Sequence, residues 1–157
     1  MQTEPGIVVG REDLLSPVAA ALIGALNAEL LGIYPEEGTC HFRLDPDEVH
    51  VDRGAFLVAR ADGTPVGCGA IRKFDPATAE LKRMYVAPEM RGRGIGRRVL
   101  AALELEGRRL GVQRLVLETG ERQAEALALY TGAGFARIPP FGEYVDSPLS
   151  VCMEKTL

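Results

Sequence analysis

Residues 91–96 read Arg-Gly-Arg-Gly-Ile-Gly, between a strand-like segment, Glu80 to Val86, and a helix-like segment, Arg97 to Leu110. Alternating glycines let the backbone curl with its N–H groups pointing inward. The helix that follows adds unpaired N–H donors and the positive end of its dipole. Together these features predict a socket for a phosphate group.

The spacing of the glycines narrows the choice of ligand. A nucleoside-triphosphate loop requires Gly-Lys-Ser/Thr, but Gly96 is followed by Arg97 and Arg98, which offer no hydroxyl for magnesium. A dinucleotide fingerprint has the spacing G-x-G-x-x-G, whereas the third glycine here comes one residue early. A diphosphate ligand that requires no metal fits the loop better. The alternative is a basic, glycine-rich turn without a ligand.

The loop also matches the pattern of a known family. In the GNAT superfamily of N-acetyltransferases the acetyl-CoA loop reads Arg/Gln-x-x-Gly-x-Gly/Ala, and Arg91, Gly94 and Gly96 stand at its defined positions. The chain resembles this family over about residues 55–157, and its first 50 residues resemble it only loosely. The resemblance implies acetyl-CoA as co-substrate, with no metal. It assigns cofactor binding to Arg91, Gly92, Arg93, Gly94, Ile95, Gly96 and Arg97.

The reaction that this resemblance implies calls for an acid and a base. Transfer from a thioester to an amine requires removal of a proton from the amine and protonation of the leaving thiolate. Glu80 is the predicted base, directly or through water, because family members with a glutamate base carry it at a similar distance before the loop. Tyr130 is the predicted acid, because it matches a family tyrosine that points at the sulfur. The alternatives are a solvated strand-end carboxylate and a tyrosine packed in the core.

Other residues are expected to contact the cofactor mainly through the main chain. In the family the strand before the loop splays from its neighbour, and the pantetheine arm pairs with the exposed backbone like an added strand. The resemblance places Met84, Tyr85 and Val86 there, with a backbone N–H near Tyr85 or Val86 as the oxyanion donor. Gln123, where relatives often carry asparagine, is expected to bond the pantetheine or the start of the helix.

The acceptor pocket is predicted from charges that lie inside strands. Arg72, Lys73, Lys82 and Arg83 are costly in a sheet unless they are paired or face a cleft. Either they pair with Glu80, Asp75 or Glu118, or some of them bind a carboxylate of the acceptor. Strand alternation would put Arg83 on the face opposite Lys82, so Arg72 and Arg83 are the predicted pair. Tyr144 is expected either to line this side or to anchor a loop, and His41, Arg43 and His50 are expected at the surface.

These residues must be positioned by alternating elements. The helices are predicted from Asp13 or Ser16 to about Gly32, over Arg97–Leu110 and over Gln123–Thr131, and one short helix is allowed within residues 34–52. Strands are predicted at residues 7–9, 55–60, 66–71, 79–86, 114–118, 135–137 and 150–154, with a hairpin turn at residues 61–64. This order predicts an α/β fold with a mixed, mostly antiparallel central sheet and flanking helices, similar to the GNAT acetyl-CoA-binding fold.

Composition is consistent with this reading. The 157 residues are expected to form a single N-acetyltransferase domain, 1–157. The net charge of −4 argues against a nucleic-acid partner, and no segment has the length of a membrane span. Cys40, Cys68 and Cys152 lack metal-site spacing and cannot all pair, so we expect a reducing cytoplasm.

The predicted function is therefore acetyl-CoA-dependent N-acetylation of a primary amine on a small metabolite, through a ternary complex. A protein N-acetyltransferase and a non-catalytic acetyl-CoA sensor are the alternatives, and the intact pair of Glu80 and Tyr130 favours an enzyme over a sensor. The acceptor is expected to carry a carboxylate beside its amine. The oligomeric state is open, with a homodimer allowed.

Overall fold

A computed structural model describes residues 6–38 and 43–157. Within these residues seven strands, β1 to β7, span Ile7–Arg11, Gly54–Ala61, Thr64–Asp75, Thr78–Val86, Arg114–Gly120, Ala136–Ile138 and Ser150–Thr156. Three α-helices, α1 to α3, span Pro17–Ile33, Ile95–Arg109 and Ala124–Gly132. Short 3₁₀ turns lie at Pro46–Val49, Pro88–Met90 and Gly142–Tyr144. Each predicted strand and helix is present, with ends that differ by a few residues.

The strands form one sheet in the order β1-β2-β3-β4-β5-β7-β6. Neighbours are antiparallel except β4 and β5, which are parallel. A parallel pair needs a long crossover, and α2 supplies it. The predicted mixed, mostly antiparallel sheet is confirmed.

The hairpin between β2 and β3 forms where the sequence predicts it. Asp62 and Gly63 both have positive φ, 48° and 87°, and Ala61 pairs with Thr64. Positive φ at both central residues is the geometry whose twist matches the flanking strands, and glycine adopts it without steric cost. The turn therefore sets the register of β2 against β3.

The helices cover the two faces of the sheet. On one face α2 buries Val99 and Leu103 in a core with strand residues that include Leu57, Ile71 and Leu115. On the other face α1 buries Ala19 and Leu22 against Phe56, Val58 and Ala70. The two sets of strand residues alternate along β2 and β3, as expected for a sheet covered on both sides.

Helix α1 begins where its sequence predicts. The Ser16 hydroxyl accepts a hydrogen bond from the Ala19 N–H at 3.1 Å, and Pro17 occupies the first turn, where its missing N–H costs nothing. The helix ends at Ile33, and the Tyr34 side chain that follows is buried.

The polar segment after α1 contains the short helix that the sequence allowed, the 3₁₀ turn Pro46–Val49. Arg43 and His50 lie at the surface, 3.1 Å from Asp45 and 3.8 Å from Asp52 respectively. Cys40 and His41 lie outside the described residues. No helix in residues 6–38 and 43–157 is long and apolar enough to cross a membrane.

Candidate active site

A cleft opens in the sheet where β4 and β5 separate. Their parallel pairing covers Thr78–Leu81 and Arg114–Leu117. Beyond it β4 continues to Val86 paired with β3, and β5 continues to Gly120 paired with β7. The main-chain edge of β4 from Lys82 to Val86 therefore faces the cleft, as the splayed strand of the prediction requires. Titratable side chains in its lining include Lys82, Arg83, Glu118, Tyr130 and Tyr144.

The glycine-rich loop leads into α2. Gly92 and Gly94 have φ of 80° and 79°, Gly94 is the N-cap of α2, and no atom lies within 4 Å of where a Cβ would stand on either. The helix begins at Ile95, two residues before the predicted start at Arg97, and the Ile95 side chain is buried in the core. Ile95 can therefore offer a ligand only its main chain. The arrangement has the open backbone and helix N-terminus that a phosphate group needs.

Arg91 has a different environment from the other cations of the loop. Its Nε donates to the Val86 carbonyl at 3.0 Å, its NH2 group donates to Glu29 of α1 at 2.7 Å, and its guanidinium lies over the Tyr85 ring at 5.9 Å. Arg91 thus ties the loop to β4 and α1. Arg93 and Arg97 are exposed and can reach a bound anion.

Gln123 fixes the turn that leads into α3. Its side-chain oxygen accepts a hydrogen bond from the Gly120 N–H at 3.1 Å and lies 3.4 Å from the Thr119 hydroxyl. The side chain also lines the cleft. Gln123 is the N-cap residue of α3, but its side chain makes no capping hydrogen bond to the helix, and its contact is with the end of β5. The two roles predicted for Gln123 stay predictions.

Tyr130 projects from α3 into the cleft lining and packs edge-on against Phe135, with ring centroids 5.9 Å apart. Burial, followed by the nearby charge of Glu118, raises the pKa of its hydroxyl above the usual value. The phenol is therefore protonated at neutral pH and can donate a hydrogen bond into the cleft. Tyr130 thus packs in the core, as one alternative predicted, and also lines the cleft, while its role as the acid stays a prediction.

Glu118 is a cleft residue that the sequence pattern indicated only as an ion-pair partner. It stands one residue beyond the last pair that β5 makes with β4, and Ser150 donates a hydrogen bond to its carboxylate. Its pKa is raised to about 7, chiefly by burial and also by the charges of Glu37, Glu80 and Glu143, while the hydrogen bond from Ser150 opposes the change. A signal was present in the sequence, since Glu118 is a charge directly after the apolar run Leu115–Leu117.

Glu80 lies in the middle of the sheet and is only 1% exposed. Its Oε1 accepts from Arg72 Nε at 2.9 Å and NH2 at 2.7 Å, and its Oε2 accepts from the Tyr144 hydroxyl at 2.7 Å. Arg72 also contacts Glu48 at 2.9 Å through NH1. Arg72 is thus engaged by two carboxylates and lies outside the cleft lining, so it does not form a carboxylate-binding pair with Arg83.

A β-bulge brings Lys82 and Arg83 to the same cleft. Ala70 pairs with Lys82 and Cys68 with Tyr85, so β4 has one residue more than β3 in this interval. The extra residue is Arg83, whose φ is 56°. A bulge breaks the alternation of side chains. The prediction that Arg83 lies opposite Lys82 was therefore wrong, and both line one cleft.

These two cations are held by neighbouring elements. The Arg83 guanidinium donates to Asn27 of α1, and burial lowers its pKa from the usual value. Lys82 Nζ lies 3.9 Å from Glu143, and the Lys82 side chain is 6% exposed. A bulged residue with positive φ is strained unless it is glycine, and such strain is concentrated at functional sites.

A sequence model of the acetyltransferase (GNAT) family matches residues 23–135. This chain belongs to the GNAT family. It is 44% identical over 98% of its length, and 99% of the relative's, to an IAA acetyltransferase of Azospirillum brasilense. The GNAT family consists of acetyltransferases, and this protein is accordingly an acyltransferase. Similarity to the family extends across α1, beyond the residues 55–157 that the sequence pattern indicated.

Solved structures give the same assignment of fold. A putative acyl-CoA N-acyltransferase from Klebsiella pneumoniae is 36% identical and superposes with a TM-score of 0.81, covering 96% of this chain and 97% of that one. PaiA N-acetyltransferase of Thermoplasma acidophilum, solved in complex with coenzyme A, has a TM-score of 0.72 at 19% identity, over 97% and 99% of the two chains. The fold predicted from the loop pattern is confirmed as that of GNAT acetyltransferases.

Proposed function

We propose that this protein transfers an acetyl group from acetyl-CoA to the primary amine of a small molecule that also carries a carboxylate. The observation that carries the proposal is the bulge at Arg83. It directs two cations, Lys82 and Arg83, into the cleft that also contains Tyr130 and Glu118. The cleft therefore combines charges suited to hold an anion with groups suited to move protons.

The cofactor side is supported by the fit of the loop. Gly92 and Gly94 leave open space over a curled backbone, the N-terminus of α2 adds its dipole, and Arg93 and Arg97 add positive charge. A pyrophosphate bound there leaves the pantetheine arm to run along the free edge of β4, past Val86, Tyr85 and Met84, toward Tyr130. Acetyl-CoA supplies the activated acyl group, and the coenzyme A complex of the Thermoplasma protein supports this choice.

Two side chains are assigned to proton transfer. The amine arrives as an ammonium ion, and Glu118 accepts the proton that must leave before the nitrogen attacks the thioester carbonyl carbon. A carboxyl whose pKa is about 7 is divided between its two forms at neutral pH, which suits a base. As the carbon–sulfur bond breaks, Tyr130 donates its proton to the departing thiolate, and the second proton that the nitrogen loses as the amide forms restores the phenol. A main-chain N–H on the free edge of β4 stabilises the oxyanion.

Lys82 and Arg83 are assigned to the acceptor carboxylate. Arginine can hold a carboxylate with two parallel hydrogen bonds, and holding the anion also orients the amine beside it. The IAA acetyltransferase relative supports a small-molecule acceptor. The N-terminal amine of a protein is the second candidate, because the chain is 40% identical over 86 residues to N-alpha-acetyltransferase RimI of Mycobacterium tuberculosis.

A panel of amines tests the proposal, with coenzyme A release as the readout. It pairs α-amino acids with the amines obtained by decarboxylating them, and it includes a peptide with a free N-terminus. We expect the carboxylated member of a pair to have the higher kcat/KM, and Lys82→Gln to reduce this preference. The control is Lys73→Gln on β3, outside the cleft lining. Equal rates for both members of each pair would contradict the carboxylate, and a preference for the peptide would favour the second candidate.

A further inference from the structure

Six side chains form a closed cluster beside the cleft, where β3 and β4 meet the 3₁₀ turns Pro46–Val49 and Gly142–Tyr144. We call it the Glu80 cluster. Its members are Glu48, Arg72, Phe74, Glu80, Phe141 and Tyr144.

The polar half of the cluster is centred on Glu80. One of its oxygens accepts from two nitrogens of Arg72 and the other accepts from the Tyr144 hydroxyl at 2.7 Å. Each oxygen of this almost fully buried carboxylate therefore already has a donor. Glu80 is also not among the residues that line the cleft, whereas its hydrogen-bond donor Tyr144 is.

The aromatic half closes the ring from the other side. The Phe141 ring meets Phe74 at 5.7 Å and Tyr144 at 5.3 Å, both edge-on, and the Arg72 guanidinium lies over Phe74 at 5.5 Å. These contacts join the segment 141–147 to β3. Tyr144 is only 3% exposed, so the segment is anchored through a buried side chain.

The anchored segment forms part of the cleft. Tyr144 lines it, and the preceding residue, Glu143, lies 3.9 Å from Lys82. The position of the segment thus decides how much room and which charge an acceptor meets beside Lys82. The contacts with charged groups that hold it there include the 2.7 Å hydrogen bond from Tyr144 to Glu80 and the ion pair of Glu143 with Lys82.

We propose that Glu80 is a positioning residue, which holds Tyr144 and the segment 141–147 as the acceptor-side wall of the cleft, rather than the base of the reaction. Arg72 holds the other oxygen of Glu80 and so fixes the carboxylate in the orientation that meets Tyr144. This inference rests on the proposed function for its effect on acceptor binding, but the effect on the segment itself does not depend on the acceptor.

Amide hydrogen exchange tests the wall without any acceptor. In Tyr144→Phe and Glu80→Gln we expect the amides of residues 142–147 to exchange at least tenfold faster than in the wild type, with residues 91–96 unchanged. Hydrogen bonds to charged groups contribute enough for a change of about tenfold to hundredfold. The control is Glu154→Gln, the same chemical change in the ion pair that Glu154 makes with Arg114 at 2.7 Å. Unchanged exchange in the folded Tyr144→Phe protein would overturn the proposal.

Kinetics then separate positioning from proton transfer, with the α-amino acid of highest kcat/KM in the panel as the probe. A positioning role predicts an acceptor KM raised about tenfold or more in both variants, an acetyl-CoA KM within twofold, and an acidic limb that persists in the pH profile of kcat/KM. In Glu80→Gln this limb should move to lower pH, because the charge of Glu80 helps to raise the pKa of Glu118. The double variant should be no worse than Glu80→Gln alone. Loss of the acidic limb in Glu80→Gln with an unchanged acceptor KM would make Glu80 the base. If no amine reacts with the wild type, the proposed function fails. Amide hydrogen exchange then tests by itself whether Glu80 holds the segment 141–147.

Discussion

Replacing Glu118 with glutamine should remove a pH dependence from the stability of the folded protein. Burial in the cleft raises the pKa of this carboxyl from 4.5 to about 7, with Glu37, Glu80 and Glu143 adding to the effect and Ser150 opposing it. Between these two pKa values the folded state holds a proton that the unfolded state has released. The free energy of unfolding therefore falls as the pH rises through this window.

The size of the fall follows from the displacement of the pKa. The difference between 4.5 and about 7 is about 2.5 units, and each unit corresponds to about 1.36 kcal/mol. The wild type should thus lose about 3 kcal/mol of this contribution between about pH 4.5 and pH 7, most of it above pH 5. This is an upper value, because Glu118 retains some contact with solvent.

Urea unfolding at pH 5, 6, 7 and 8 measures the effect. The quantity to plot is the free energy of unfolding of Glu118→Gln minus that of the wild type, which should increase with pH and level off above pH 7. The control is Glu121→Gln, an exposed glutamate in the next turn, for which the difference should not vary in this way. A difference that stays constant from pH 5 to pH 8 would refute the reasoning and remove the physical basis for Glu118 as the base.

Three further predictions concern the cofactor loop, the proposed acid Tyr130, and the close packing of Gly120 against Tyr34. Gly94→Val should stay folded but lose the thermal stabilisation by acetyl-CoA, which for the wild type is about 2.7 kcal/mol at 100 times Kd, because φ of 79° strains valine; an undiminished melting shift would exclude the loop. Tyr130→Phe should lower kcat by a factor on the order of 10²–10⁴ with little change in acetyl-CoA affinity, and wild-type turnover would limit this residue to packing. Gly120→Ala should destabilise by about 1–3 kcal/mol in urea unfolding, because a Cβ there would overlap the Tyr34 hydroxyl. Gly24→Ala, in open space on α1, should instead stabilise by about 0.5–1 kcal/mol, and the opposite order would contradict this account.

The features that sequence predicted well are those whose cause lies within a few residues. Asp62-Gly63 specifies a turn because few residue pairs adopt two successive positive φ angles. Ser16-Pro17 begins a helix because the Ser16 hydroxyl caps the first turn, where the N–H that proline lacks would have no partner within the helix. The loop from Gly92 to Gly94 belongs to the same class. Its open backbone depends on local glycine freedom, and the resemblance of Arg91, Gly94 and Gly96 to the family pattern implied the fold and acetyl-CoA.

The arrangement of the acceptor side was harder to predict from the sequence, because it depends on how one strand pairs with another. Side chains alternate between the two faces of β4 only where β4 and β3 pair one residue to one. The extra residue at Arg83 is visible only in the register of β4 with β3. Arg72 was considered for the acceptor or for an ion pair with Glu80, and the structure has the ion pair. Which partner it takes depends on the strand register that sets Arg72 opposite Glu80.

By itself, then, the sequence determined the elements and the glycine loop, because propensities and glycine geometry act over short distances, while Tyr130 as the acid stays a prediction. Only the tertiary structure decided that Glu118 has a raised pKa and that Glu80 forms an ion pair. Glu80 and Glu118 are both glutamates on central strands, but Arg72 of the neighbouring strand β3 and Tyr144, which is 64 residues along the chain, meet only the first. Glu118 faces the cleft beyond the last β4–β5 pair, where desolvation is not offset by a cation.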